Sequence, residues 1–519
     1  EEGDRTWLFW GVLPTILTVG TILSIRIPPM LDWPFHLAQG VLLSQGHDPS
    51  FVRPGVYCAQ SFAPYHLFHQ MVRVLYPLTG PEGLSRVALL LLFTMQGASV
   101  WFLLRTFRAD LRLWIFAPVT FFSYAYLQGF APHLCSVPFV LCSFSFAQLW
   151  REKQNLYWGA GMILSLFLVY FAHPLSFFFA LGWVGLLLLF GLWGEKKRLL
   201  VAFLWLLLPI LGALQAVIHF SKLSKVQMAW VKTLGLSQDT FWQFGEPVWE
   251  RVFLMPHYLL GTHTLSAELV SIAVLLWAGL FFLLYMGFRA RKAGKAEPLS
   301  LGHLVCVCVV LVFYLLLPKS LSNANNLYAR FLLFAVLALL TLIPRVSGRQ
   351  VRVAWFVIFL AGNTFLGLNW IYQSSWDQRF SGFHEVISKL PKGSRYIGLL
   401  SHFRMVTGWM QVYRGGEARY SFSHFFHMPV LDCNPKAQLG TFFLRNEPGG
   451  FSPRLHGHLA PYILVFLAPK LTFMKRTYPW LFQKNGPYQP LIRRGRWAIL
   501  KRRSIEKKAF PKKTESQKR

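Results

Sequence analysis

The residues with the most chemical potential lie in one short stretch, Ile27-Pro28-Pro29-Met30-Leu31-Asp32-Trp33-Pro34-Phe35-His36-Leu37-Ala38-Gln39. Asp32 and His36 stand four apart, so a helix beginning at Trp33 or Pro34 places them on one face. A carboxylate there can take a proton from an acceptor hydroxyl as general base, with the imidazole orienting it or sharing the proton. An Asp two residues ahead of a Pro is equally an ordinary helix N-cap, and both readings stand at this level. Arg330, in Tyr328-Ala329-Arg330-Phe331, is the cation suited to a departing phosphate, which a guanidinium can hold through two parallel hydrogen bonds. Asn325, Asn326, Tyr328 and Lys319 lie around it in sequence, and Lys319, Tyr328 and His173 join Arg330 as substrate-binding candidates. The competing reading is an arginine snorkelling to lipid headgroups.

The other histidines are less specific. His66 and His69, three apart, share a helical face and can chelate a metal, but no neighbouring carboxylate completes a set, and a polar face on an interfacial helix explains them as well. His424 and His427 repeat that spacing. His173, just before Pro174, either lines a cavity or caps a helix end. Trp230, Trp242 and Trp249 suit sugar stacking, or interfacial anchoring.

These residues must be held by elements that the composition narrows sharply. Of 519 residues, 54% are hydrophobic and only 14% charged, well below the about 25% charged residues of soluble domains. The chain reads as an α-helical multi-pass membrane protein. A hydrocarbon layer of about 30 Å takes about 20 helical residues to cross, and about eleven candidate spans emerge, at 6–25, 86–104, 113–127, 133–150, 157–172, 174–193, 199–218, 268–288, 301–318, 328–344 and 352–371. The first is no cleavable signal, since its flank is acidic and its apolar run is long enough to span. The transmembrane domain thus covers 1–371, with long loops at 26–85 and 219–267.

The net charge of +31 expresses topology and affinity for anionic lipid, with no nucleic acid as partner, because a soluble basic binder does not carry such apolar runs. Short basic clusters occupy alternate connections, at Arg105/Arg108/Arg112, Arg151/Lys153, Lys196/Lys197/Arg198, Arg289/Arg291/Lys292/Lys295 and Arg345/Arg349/Arg352, which places that set in the cytoplasm. The long loops and everything after Tyr372 then face outward. Fifteen of the sixteen histidines, all but His303, fall on or beside the outward set. From 372 to 500 the pattern becomes short and mixed, and 395–400 and 462–467 read as strands of an outer-facing α/β or α+β soluble domain. A basic tail follows at 501–519. Cysteines form no CxxC pair. Most read as packing residues, while Cys58 and Cys433, both outward, can close a disulfide.

An acid just past the first span, on a long outer loop with short helices, resembles the GT-C superfamily of membrane glycosyltransferases. The spelling Asp32-Trp33-Pro34-Phe35-His36 is similar to the Asp-x-x-x-His start of its less studied bacterial branches. So are Gln128-Gly129-Phe130-Ala131-Pro132, Ala172-His173-Pro174, Tyr328-Ala329-Arg330-Phe331 and an outer C-terminal domain. The resemblance implies transfer of a sugar from a polyprenyl-phosphate donor to an acceptor at the outer face of a bacterial inner membrane, with inversion and with Asp32 as base. One departure concerns the metal. Many such enzymes carry a second acid in the next outer loop, where this chain has Leu127-Gln128-Gly129-Phe130-Ala131-Pro132-His133. A divalent metal would need His133 and another outer histidine in place of that acid, and a metal-free mechanism is open.

No Walker loop, dinucleotide fingerprint, HExxH or GxSxG is present, which argues against a nucleotide as direct donor. Two rivals share the composition: a non-catalytic scaffold of the same fold within a membrane complex, and a lipid or polysaccharide transporter. The span interiors hold almost no ionisable residues and no internal repeat, which weakens the transporter.

Overall fold

The computed structural model describes residues 6–60, 65–233, 242–243, 246–261, 267–321, 324–325, 327–399, 406–418, 428, 430–433, 460–467, 478–483 and 486–503. His424, His427, Asn326 and the tail from 504 lie outside the described residues. The chain divides into two compact units, one formed by 1–44, 57–379 and 422–431 and the other by 45–56, 380–421 and 432–519.

The first unit is helical. Its elements are α1 (Thr6–Ser24), α2 (Trp33–Gln45), α3 (His66–Thr106), α4 (Phe116–Phe121), α5 (Tyr124–Gln128), α6 (Ala131–Lys153), α7 (Leu156–Ala172), α8 (Pro174–Gly191), α9 (Lys196–Thr233), α10 (Val248–Leu260), α11 (Ala267–Lys292), α12 (Leu301–Leu316), α13 (Leu327–Leu340) and α14 (Arg349–Gln378). Among the described residues six helices are long and apolar enough to cross a membrane, and four shorter apolar helices accompany them. Ten of the expected spans therefore have one helix each. The stretch 113–127 does not: a 3-10 turn at Leu111–Ile115, α4 and α5 divide it, with the break at Phe122 and the extended Ser123. Its pieces are almost wholly buried, so neighbouring helices replace the continuous hydrogen-bond ladder that lipid exposure would demand.

Two helices depart from simple spans. α3 bends at Gly80 (φ 60°), between Pro77 and Pro81, so that an N-terminal segment carrying His66 and His69 turns into the apolar segment after it. α13 sits at the centre: every residue from Leu327 to Leu340 is buried except Arg330, which keeps part of its surface accessible. A helix apolar on all sides and buried on all sides is a core element. At the end away from Asp32, the chain leaving α13 is held by cations and a backbone donor. Arg291 Nη1 donates to the Leu342 carbonyl at 2.6 Å, Asp110 N to that of Ile343 at 2.9 Å, and Arg112 Nη2 to that of Val346 at 3.3 Å.

The second unit holds a five-stranded sheet. Its strands are Glu417–Ala418, Arg395–Leu399, Tyr462–Phe466, Trp497–Arg502 and Tyr488–Arg494 in spatial order. The two strands expected from sequence, Arg395–Leu399 and Tyr462–Phe466, are parallel neighbours, and the last two pair antiparallel. Ile397, Ile463, Val465, Tyr478 and Tyr488 form its core. The sheet continues to Arg502, two residues into the segment read as basic tail. Cys58 and Cys433 are both disulfide-bonded, whereas Cys135, Cys142, Cys306 and Cys308 are free thiols.

Candidate active site

Asp32 ends the connection from α1 and caps α2: its carbonyl accepts from Phe35 N (3.1 Å) and His36 N (3.2 Å). The connection is pinned on both sides. Asp377 Oδ1 accepts from Arg26 N (3.2 Å) and Ile27 N (2.9 Å), while Leu31 N and Asp32 N donate to the carbonyls of Leu127 and Gln128 at 3.1 and 2.9 Å. The next residue, Gly129, has φ 73°, and a Cβ there would strike Trp33 N and lie 2.7 Å from Asp32 N. Glycine at that position lets the end of α5 and the start of α2 meet.

Arg330 reaches the same place from the first turn of α13. Its guanidinium lies over the Phe130 ring at 3.6 Å and within electrostatic reach of Tyr65, Asp32 and Tyr124. Asp32 and Arg330 are enclosed by protein yet remain partly accessible. Burial pushes the Asp32 carboxyl up to about 7, although the charge of Arg330 pulls it down. Desolvation therefore dominates.

The N-terminal start of α3 joins from a third side. Tyr65 precedes it in the left-handed conformation, φ 72°, and its carbonyl lies 2.5 Å from His69 Nδ1. His69 Nε2 lies 3.2 Å from His36 Nδ1. His66, by contrast, pairs with Gln70 on its own helix. The Tyr65 ring packs edge-on against His173 at 5.3 Å, and His173 against His133 at 5.2 Å. His173 Nδ1 accepts from Ser176 N at 3.1 Å and caps α8, while His133 Nδ1 lies 3.2 Å from Ser176 Oγ and Ser136 Oγ donates to that oxygen at 2.8 Å.

Lys319 and Tyr328 converge elsewhere, on Glu246 just ahead of α10. Lys319 Nζ is 2.7 Å from Glu246 Oε1 and Tyr328 Oη donates to Oε2 at 2.5 Å. Burial opposes ionisation of Glu246, but those hydrogen bonds prevail and hold it at about 2. Tyr258 Oη adds a contact to Tyr328 Oη at 2.8 Å. Arg251, buried, stacks on the Tyr328 ring at 4.4 Å and donates to the carbonyls of Glu246, Leu315 and Leu317. The charge of Lys319, a substrate-binding candidate from sequence, is thus shared with a carboxylate that sequence reasoning missed. Glu246 could have been flagged as an acid next to a Pro that opens an aromatic helix. Tyr65 and Ser176 carried no signal of their own.

Among the described residues no three of His, Cys, Asp and Glu form a metal-binding group. His133 meets His173 and Ser176, and both nitrogens of His69 are engaged by His36 and Tyr65.

A helical unit, with a central buried helix bearing one partly accessible arginine and an acid capping the helix after α1, and a mixed-sheet unit at the C-terminus make up the chain. This fold is shared with solved structures. The chain is similar to ArnT from Cupriavidus metallidurans bound to undecaprenyl phosphate, with TM-score 0.57, 11% identity, and 95% of this chain and 97% of that chain covered. Its similarity to ArnT in the apo state has TM-score 0.54 at 10% identity, covering 96% and 98%. No protein-family model and no curated protein matches.

Proposed function

We propose that this chain is an inverting membrane glycosyltransferase that moves a sugar from a polyprenyl-phosphate donor to an acceptor at the outer face, within the cell envelope. The observation that carries the proposal is the pairing of the partly accessible Asp32 carboxyl at the start of α2 with the Arg330 guanidinium on the central helix, each within electrostatic reach of the other. The similarity to a structure bound to undecaprenyl phosphate supports this class of donor. The helices α2, α3, α6, α8 and α13 all begin at this site, and their N-terminal partial charges favour an anion there.

In the reaction, the Asp32 carboxylate takes the proton of the acceptor hydroxyl as that oxygen bonds to the sugar's anomeric carbon. The bond from that carbon to the phosphate oxygen breaks, and its electron pair leaves with polyprenyl phosphate. Arg330 stabilises the negative charge that grows on the leaving oxygen. Displacement in a single step inverts the anomeric centre. His36 orients Asp32 or shares its proton, His173 and Tyr65 wall the site, and Tyr328 with Lys319 braces the start of α13 through Glu246.

The test separates a base from a clamp. Asp32→Asn keeps size and capping but abolishes basicity, so transfer falls by about a hundredfold or more while donor binding stays near wild type. Arg330→Ala weakens both binding and transfer. Full transfer by Asp32→Asn would leave Asp32 a helix cap and remove the catalytic reading.

A further inference from the structure

The helix α10 has its polarity reversed. Its inward side carries the charge. Arg251, 3% exposed, donates from Nε to the Glu246 carbonyl at 3.0 Å and from Nη1 to the Leu315 and Leu317 carbonyls at the end of α12, and its own carbonyl accepts from Tyr314 Oη at 2.8 Å. Tyr258, seven residues on and so on the same face, is buried against Tyr328. The opposite side is apolar and open. Val248, Trp249, Val252 and Phe253 form one helical stripe there, with Trp249 61% and Phe253 77% exposed and their rings meeting edge-on at 6.3 Å. A helix on a water-bathed core does the opposite, hiding its apolar stripe and showing its charges, and an exposed apolar patch of this kind marks a contact surface.

What covers the patch follows from where α10 is fastened. In sequence it lies between α9 and α11, which both hold a segment long and apolar enough to cross a membrane. Arg251 ties it to the last carbonyls of α12, an apolar helix whose final turns expose Val312, Phe313 and Leu316. The stripe is thus attached to the end of a helix whose own exposed residues are those a hydrocarbon layer would cover. Aromatic side chains are favoured at that boundary, and an amphipathic helix lies along it with its apolar side down. Sugar stacking, the other use open to Trp249, calls for hydrogen-bonding groups beside the ring, whereas the exposed stripe around it consists of Val248, Val252 and Phe253.

We infer that α10 is an interfacial helix whose stripe of Val248, Trp249, Val252 and Phe253 enters the bilayer at the boundary between headgroups and acyl chains. Its inner side passes that anchorage on. Through Glu246, Arg251 and Tyr258 it grips Tyr328 and Lys319, and Tyr328 stands two residues ahead of Arg330. Contact with lipid thereby steadies the start of α13. The effect on donor use rests on the glycosyltransferase reading; the position of α10 in the bilayer does not.

The full-length protein in nanodiscs of phosphatidylethanolamine and phosphatidylglycerol provides the test. With Cys135, Cys142, Cys306 and Cys308 replaced and the disulfide-bonded Cys58 and Cys433 kept, a nitroxide is attached singly at Phe253→Cys, at Leu211→Cys on the exposed side of α9, or at Ala293→Cys after α11. At Phe253→Cys, as at Leu211→Cys, molecular oxygen should relax the label more than a water-soluble nickel chelate does, and at Ala293→Cys the nickel chelate should dominate. Aqueous behaviour at Phe253→Cys overturns the inference. So does a label shielded from both reagents, which would make a second copy of the chain the cover. In transfer from a polyprenyl-phosphate sugar, the pair Trp249→Ser and Phe253→Ser should raise donor KM about tenfold with kcat near wild type, and the pair Trp249→Leu and Phe253→Leu should restore it. Wild-type KM in the serine pair, or no recovery in the leucine pair, overturns the steadying role alone. If Asp32→Asn is fully active, the glycosyltransferase reading fails while the nitroxide still decides where α10 lies.

Discussion

At the scale of single residues, the chemistry depends on a carboxyl that is costly to ionise where it sits. With its midpoint at about 7, Asp32 is about one-tenth ionised at pH 6 and about nine-tenths at pH 8. Transfer should therefore rise with pH through 7, and a rate that falls over that range would make Asp32 a proton donor instead. Because Arg330 lowers the Asp32 midpoint, residual transfer in Arg330→Met should show its midpoint displaced upward. The same shift has a stability consequence. A carboxyl whose folded value lies above its unfolded 3.8 binds its proton more tightly in the folded state, so stability declines as pH rises from about 4 to about 7 and then levels. Asp32→Asn removes that penalty. It should melt higher than wild type in detergent at pH 8, and the gap should close as pH approaches 4. The residue types of the site were readable because an acid just past the first apolar run, and an arginine at the start of a later one, stand out against their apolar neighbours. The contact of His69 with His36 was not readable, since the two stand 33 positions apart in sequence and their meeting depends on how two helices cross.

At the scale of elements, the site is a set of helix starts held together by close backbone approaches. The spans were legible because a long apolar run has few other physical solutions. The break inside 113–127 was not, because Phe121 and Phe122 continue the apolar pattern through it and only the extended backbone at Ser123 interrupts the helix. The motif at Gln128-Gly129 shows what local sequence does encode. At φ 73° a side chain costs on the order of 1–3 kcal/mol in backbone strain, and here a Cβ would also drive against Trp33 N and Asp32 N. Gly129→Ala should therefore displace Asp32 from the site without unfolding the bundle. Circular dichroism should be unchanged and transfer reduced about as far as in Asp32→Asn. Wild-type transfer by a folded Gly129→Ala would show that the position of Asp32 is not set by this contact.

At the scale of the whole molecule, charge and chemistry divide between opposite ends of the helical unit. Arg112 and Arg291 hold the chain leaving α13 at one end, and Arg330 opens α13 at the other. On the proposed reading, short arginine-rich and lysine-rich loops stay in the cytoplasm and the Asp32 end is expected on the outer side, where the lipid-linked donor is used. Exposed single cysteines test this in a background where Cys135, Cys142, Cys306 and Cys308 are replaced and the disulfide-bonded Cys58 and Cys433 are kept. Ala293→Cys, after α11 and beside Lys292 and Lys295, samples the basic set, and Ser388→Cys samples the C-terminal unit. An impermeant maleimide applied to intact cells should label Ser388→Cys at once and Ala293→Cys only after permeabilisation. The reverse pattern would put Asp32 in the cytosol, where the reaction would need a donor presented on that leaflet and the basic loops would face outward against their charge.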